Sequence, residues 1–159
     1  MERRRRTASL CAVAGFLLGA SLAAAQDPAG AAAKAGQAHV VVYRVNRHRD
    51  PTLVKPAIYC DEKEVALMYS DRFFTINLTP GKHTITSDDG STSVSLDAQP
   101  GVTYYVVVVV VNGAWTRNRF SVAQVDTNTA LTDLTRLKPA DASHIKAPNM
   151  VSIGAIPGK

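Results

Sequence analysis

Cysteine is nearly absent from this sequence: Cys11 and Cys60 are the only two, and Cys11 falls in a segment that reads as cleavable. No disulfide within the remaining chain can form, although disulfides are common in proteins that leave the cytosol. Histidine is also sparse. His39, His48, His83 and His144 are too far apart in sequence for a metal motif. There is no Gly-x-Ser-x-Gly nucleophile elbow, and nothing in the order of the residues points to a catalytic triad. Beyond the first residues no apolar run approaches the roughly 20 residues of a spanning helix. The formal net charge of +5 is mostly a local effect. Four of the 18 basic and one of the 13 acidic residues precede Gln26, which leaves 14 against 12 and a net of +2. That balance excludes the basic footprint of a nucleic-acid binder. No cofactor, metal or catalytic residue is assigned.

The N-terminus accounts for the excess positive charge. Arg3 to Arg6 form a basic region, Leu10 to Leu22 an apolar one, and Ala23-Ala24-Ala25 a small-residue cleavage site. This is the pattern of an export signal over residues 1–25. The alternative is an uncleaved anchor. Cys11 lies at the start of the apolar stretch and not after it, so it is not a lipoprotein cysteine. An exported chain would work in the periplasm or outside the cell, with no membrane span after signal removal. Residues 26–37, rich in Ala and Gly, read as a flexible lead-in.

The strongest signal in the rest is Gly101 to Trp115, GVTYYVVVVVVNGAW. β-branched residues fit a strand better than a helix. Alternation puts Tyr104, Val106, Val108 and Val110 on one face and Tyr105, Val107, Val109 and Val111 on the other. Both faces are apolar, so both must be covered. Burying six valines contributes roughly 9–18 kcal/mol gross. This predicts a central strand.

The other segments are short. Strands are predicted over His39–Val45, Pro56–Cys60, Glu64–Met68, Arg72–Leu78, Lys82–Ser87, Ser91–Asp97 and Arg119–Val125. Turns are predicted at Asp61-Glu62-Lys63, Tyr69-Ser70-Asp71, Thr79-Pro80-Gly81, Asp88-Asp89-Gly90 and Asn112-Gly113. One helix follows. It is capped by Asp126 or Thr127, carries Ala130, Leu131, Leu134 and Leu137 at helical spacing, and ends by Pro139. Residues 139–159 read as a mostly irregular tail. Seven to eight strands with regular turns predict an antiparallel β-sandwich over residues 38–138. A sandwich leaves its outer faces wet, yet the valine strand is apolar on both sides. Leu131, Leu134 and Leu137 can supply a lid for the outer face; the rival explanation is a subunit interface in a homo-oligomer. Cys60 shares strand parity with Ile58, which predicts a buried free thiol, the alternative being an intermolecular disulfide.

The segments HVVVYR, IYCDEKEVALM, LTPGKHTIT and PGVTYYVVVVV, followed by a short helix, resemble a family of small exported bacterial domains with no assigned activity, many of them lipoproteins. The family pattern is a strand ending in Tyr-Arg, a hairpin with an Asp-Gly turn, a Pro-Gly-x-His turn and a Gly-x-x-Tyr-Tyr strand. The resemblance spans about residues 38–138 and implies an immunoglobulin-like or transthyretin-like sandwich. It carries over no catalytic residues. Cys60-Asp61-Glu62 departs from the usual Asp-Gly turn, and no lipobox is present.

Three clusters are candidates for chemistry. Arg44, Arg47, His48 and Arg49 could meet an anionic group, or could be a solvated loop balanced by Asp50. Asp61, Glu62 and Glu64, and likewise Asp88 and Asp89, could bind a cation, but lack calcium-loop spacing and fit polar turns. His83 reads as a sheet-edge histidine. The expected function is therefore a non-enzymatic module of the cell envelope. It would bind an envelope protein or a cell-surface polymer through the Asn46–Val54 loop, with Arg44, Arg47, His48 and Arg49 as the tentative contacts. The alternatives are a hydrolase with a loop-assembled site and a structural homo-oligomer.

Overall fold

A computed structural model describes residues 36–46, 54–88, 90–111, 119–154 and 156. The expected signal, most of the lead-in and the Asn112-Gly113 turn lie outside the described residues. Within them the chain is mainly β, with one helix near the C-terminus, as the strand pattern predicts. In chain order the elements are β1 (Ala38–Arg44), β2 (Ala57–Cys60), β3 (Lys63–Leu67), β4 (Arg72–Leu78), β5 (Gly81–Ser87), β6 (Ser93–Ala98), β7 (Thr103–Val111), β8 (Arg119–Val125), α1 (Thr127–Leu134), β9 (Lys138–Pro139) and β10 (Val151–Ser152). A 3-10 turn covers Ala142–His144.

Two sheets pack face to face. The larger runs β10-β4-β1-β7-β8, with β9 also beside β4; the smaller runs β3-β2-β5-β6. Most pairs are antiparallel. β1 and β7 are parallel, as are β4 and β9, which departs from the all-antiparallel expectation. The β1–β7 pair is possible because the whole smaller sheet lies between them in sequence and supplies the long crossover that parallel neighbours need.

The inner faces meet in one core. Val40, Val42, Phe74, Ile76, Val106 and Val108 of the larger sheet pack against Ile58, Val65, Ile85, Val94 and Leu96 of the smaller. Sheet β3-β2-β5-β6 keeps a wet outer face, seen in the alternating burial of Ser93–Ala98. The larger sheet does not. Its outer face carries Val41, Tyr43, Phe73, Tyr105 and Val107, and these are buried with Ala130 and Leu134 of α1. Leu131, Leu137 and Val109 pack against the same cluster. The valine strand is thus covered on both sides within one chain, and the outer face that suggested a subunit interface is occupied by the chain's own helix.

Asp126 caps α1, its carboxylate accepting from the Thr129 backbone N–H (3.0 Å) and from the Thr129 hydroxyl (2.7 Å). The helix stops at Leu134, earlier than Pro139. The chain must turn there to set Lys138 and Pro139 beside Arg72 and Phe73 of β4.

Residues 139–159 are not a loose tail in their described part. Ala140, Ala147 and Val151 are buried. Ala66 bridges Ile145, and the Lys146 and Ala147 N–H groups donate to the Val65 carbonyl (2.9 and 3.2 Å), which closes the edge of β3. β10 pairs with β4 on the other sheet. The segment straps the open side of the sandwich, and its prolines and short strands give no periodicity from which to read this. Across the molecule the Ser87 and Ser91 hydroxyls both donate to the Phe120 carbonyl (2.9 and 3.1 Å), and Val122 N–H donates to Thr92 Oγ1 (2.7 Å). These bonds clip β8 to the β5–β6 hairpin. Unpaired strand edges invite pairing with other chains; here side chains and strap attend to them.

Candidate functional site

Register fixes which loops share an end of the sandwich. Ala38 pairs with Leu78 and Arg44 with Arg72. The β2–β3 turn, the β4–β5 turn and the β6–β7 connection therefore gather at the Ala38 end. The Asn46–Val54 loop leaves from the opposite, Arg44 end.

At the Ala38 end, three side chains far apart in sequence converge. Cys60 is the last residue of β2. Asp61 and Glu62 form the two-residue turn to β3, both in the left-handed region (φ 48° and 67°) that a primed hairpin turn requires. β5 lies beside β2, with Cys60 opposite Ile85, which brings His83 alongside Asp61. The Asp61 Oδ2 is 2.6 Å from His83 Nδ1. Asp61 Oδ1 accepts from the Thr84 N–H at 2.9 Å. That N–H sits where β2 has ended, so the carboxylate replaces a lost ladder partner. His83 Nε2 is 2.8 Å from the Thr79 carbonyl. Cys60 Sγ lies 3.8 Å from Asp61 Oδ2 and is fully buried.

Both ring nitrogens of His83 therefore face acceptors. Only the doubly protonated ring donates to both. Burial alone would lower the His83 pKa, but the Asp61 hydrogen bond, the Thr79 carbonyl and the Asp61 charge outweigh it and raise it. Burial would raise that of Asp61. The bonds from His83 and Thr84, the His83 charge and the Cys60 thiol overcome this and hold it below the usual range. Burial first, then the Asp61 charge and the bond to its carboxylate, push the Cys60 thiol up to about 12.

These directions predict a pH dependence of stability. A raised histidine pKa contributes stability fully below the ordinary value near 6.5, lost as pH rises through the folded value. A depressed carboxyl pKa contributes above its ordinary value near 3.8, lost as pH falls through the folded one. The pair thus supports the fold most between these values. Asp61 is half exposed, so the alkaline loss stays below about 1 kcal/mol. In thermal unfolding at a series of pH values, His83→Gln is expected to flatten the decline above neutrality. An unchanged slope would show that the ion pair contributes nothing.

The geometry is not that of a nucleophile and its base. A catalytic base needs its free nitrogen on the nucleophile and its carboxylate on the other nitrogen. Here the carboxylate lies toward the thiol, the second nitrogen is held by a backbone carbonyl, and the thiol is buried and protonated. The buried free Cys60 agrees with its strand parity. A groove of about 450 Å³ adjoins the trio, lined by Asp61, Glu62, Thr84 and Thr86, and a second of about 390 Å³ includes Lys82, His83, Ser95 and Asp97.

The loop nominated from sequence is at the other end. Arg47, His48 and Arg49 lie outside the described residues. Arg44 does not face solvent: it is the largest fully buried side chain among the described residues, on the parity of Val40 and Val42. Its Nη1 donates to the Val54 carbonyl at 2.7 Å. Asn46 N–H donates to Asp71 Oδ1 at 2.8 Å. Both feet of the loop are thereby fixed to the sandwich, and Arg44 is a clasp rather than an exposed contact. Of the acidic candidates, Asp61 turns to His83, Glu62 and Asp88 are exposed, Glu64 is half-buried on β3, and Asp89 is outside the described residues.

The two other described histidines are accounted for by neighbours. His39 Nδ1 lies 2.9 Å from Asn77 Oδ1, and His144 stacks on Tyr69 with centroids 3.7 Å apart, with Lys55 Nζ 4.3 Å from the Tyr69 centroid. Tyr104 and Tyr105 divide as their parity predicts: Tyr105 is buried in the lid cluster, whereas the Tyr104 hydroxyl donates to the Asp97 carbonyl (2.9 Å). The Cys60–Asp61–His83 meeting was not legible beforehand, because it depends on the β2–β5 register and not on spacing in sequence. No protein-family model matches the chain, and neither the curated proteins nor the solved structures contain a match to it.

Proposed function

We propose that the chain is an exported, non-enzymatic recognition module of the cell envelope that takes an anionic partner through the Asn46–Val54 loop. The partner is an envelope protein or a cell-surface polymer. The observation that carries this reading is the fixing of the loop's two feet, by the Arg44–Val54 and Asn46–Asp71 bonds. A loop held at both ends by a rigid scaffold loses less entropy when it binds. Arg47, His48 and Arg49 give it a cationic composition. The resemblance to small exported domains and the signal-like N-terminus support the location. The locked His83–Asp61 pair, the one histidine–carboxylate contact among the described side chains, favours binding over catalysis.

The test is retention on an envelope fraction. Arg47→Glu with Arg49→Glu is expected to reduce retention roughly tenfold or more, since each basic residue near an anionic surface contributes about 1 kcal/mol. Retention should fall with added salt. Undiminished retention of the double variant would remove the loop from the proposal.

A further inference from the structure

We propose that Cys60, Asp61 and His83 form a binding site for one zinc-class divalent cation at the Ala38 end of the sandwich. The starting observation is convergence. One ligand atom from each residue, Sγ, a carboxylate oxygen and a ring nitrogen, lies within 4.8 Å of the others. Two adjacent strands and a two-residue turn place them, so the spacing is set by rigid elements and not by long side chains.

The distances suit a tetrahedral ion. With zinc bonds of about 2.3 Å to sulfur and about 2.1 Å to oxygen, a tetrahedral angle separates the two ligands by about 3.6 Å. Cys60 Sγ and Asp61 Oδ2 are 3.8 Å apart. The nitrogen–oxygen separation for such an ion is about 3.4 Å, whereas Nδ1 and Oδ2 are 2.6 Å apart with a proton between them. Replacing that proton by the ion requires an opening of about 0.8 Å by this arithmetic, and Asp61, half exposed, has room to give it.

The outer partners are those that metal ligands use. A ligating histidine usually donates its other N–H to a carbonyl or carboxylate, which fixes its tautomer. His83 Nε2 does this with the Thr79 carbonyl and leaves Nδ1 for the ion. Asp61 Oδ1 is held by the Thr84 N–H, which aims Oδ2 inward. Binding exchanges the ion for two protons, one from the Cys60 thiol and one from His83 Nδ1. A neutral thiol, an imidazolium and a carboxylate become a thiolate, a neutral imidazole and a carboxylate around a dication. The site is neutral before and after. The thiolate selects a borderline or soft metal over calcium or magnesium. Three protein ligands leave one position for water or a donor from a partner, and Asp61 also lines the neighbouring groove with Glu62, Thr84 and Thr86. The site is at the opposite end from the Asn46–Val54 loop and stands independently of it.

The test uses the protein as processed in the cell, purified, stripped with chelator and titrated with cobalt(II), then with zinc. One cobalt per chain is expected, with a near-ultraviolet thiolate-to-cobalt charge-transfer band that zinc abolishes. Thermal stability should rise with zinc concentration. Cys60→Ser should lose the band. His83→Gln, less deeply buried than Cys60 and chosen in case the Cys60 substitution fails to fold, should weaken cobalt binding by more than about 100-fold. The proposal is overturned if no equimolar cobalt binding is seen, if binding occurs without the thiolate band, or if His83→Gln binds as tightly as the parent.

Discussion

A chain ending at Val125 is expected to aggregate instead of folding as a monomer. The deletion removes α1, β9, the strap and β10 together. It uncovers Val41, Tyr43, Phe73, Tyr105 and Val107 on the outer face of the larger sheet. At roughly 1.5–3 kcal/mol each, the lost burial is about 7–15 kcal/mol gross, against a typical net stability of about 5–15 kcal/mol. The same cut frees the edge of β4 and the Val65 carbonyl on β3, so apolar surface and open strand edges appear side by side, the combination that drives intermolecular pairing. Size-exclusion chromatography with circular dichroism checks this. Leu134→Ala, which only thins the lid, should cost about 2–5 kcal/mol and leave a monomer. A folded, monomeric product ending at Val125 would show that the helix is not needed to cover the valines.

The second large effect separates two-sided burial from one-sided. Val40 and Val41 are neighbours on β1, point to opposite faces, and are both fully buried. Val40→Asp and Val41→Asp are each expected to abolish the folded state. A carboxyl group in either site has no partner, and burying it costs several kcal/mol or forces its neutralisation. On β6 the same substitution should behave differently. Ser95 is exposed while Leu96 is buried, so Ser95→Asp should move stability by no more than about 0.5 kcal/mol. Urea unfolding of the three variants decides the matter. If Val41→Asp folded with near-parental stability, the outer face would be wetter than its packing against α1 implies.

These expectations also show what could be read from residues alone. Strand positions were legible because alternation survives in single segments: Arg72–Leu78 and Arg119–Val125 match their predicted limits. The need for a lid followed from one strand with two apolar faces, and Leu131, Leu134 and Leu137 were the only leucines at helical spacing available to supply it. Pairing was not legible. Nothing in HVVVYR says that it lies parallel to the valines, since β branching favours a strand without choosing its neighbour. The trio at Cys60, Asp61 and His83 was hidden for the same reason: Cys60 read as a buried thiol and His83 as a sheet-edge histidine, and only the β2–β5 register brings them to one place. Arg44 was misleading in another way. Its charge suggested surface, while its parity with Val40 and Val42 already pointed it inward, and the parity prevailed because the Val54 carbonyl was within reach. The strap after Pro139 carries backbone pairing with little side-chain pattern, and such contacts leave no mark in hydropathy.

The parallel pairing of β1 with β7 has a kinetic consequence. Whether it leaves a ribosome or a translocation pore, the chain emerges N-terminus first. The hairpins β2–β3 and β5–β6 can zip as soon as they appear, because each closes locally. β1 cannot complete its pairing until Thr103–Val107 arrive, some sixty residues later. Loops that long close slowly, and topologies rich in distant contacts fold in milliseconds to seconds instead of microseconds. Through that interval the larger sheet is unfinished while the valines have just been delivered and α1 has not. The dangerous moment in this protein's life is therefore a vectorial one, and it ends only when the last thirty residues catch up.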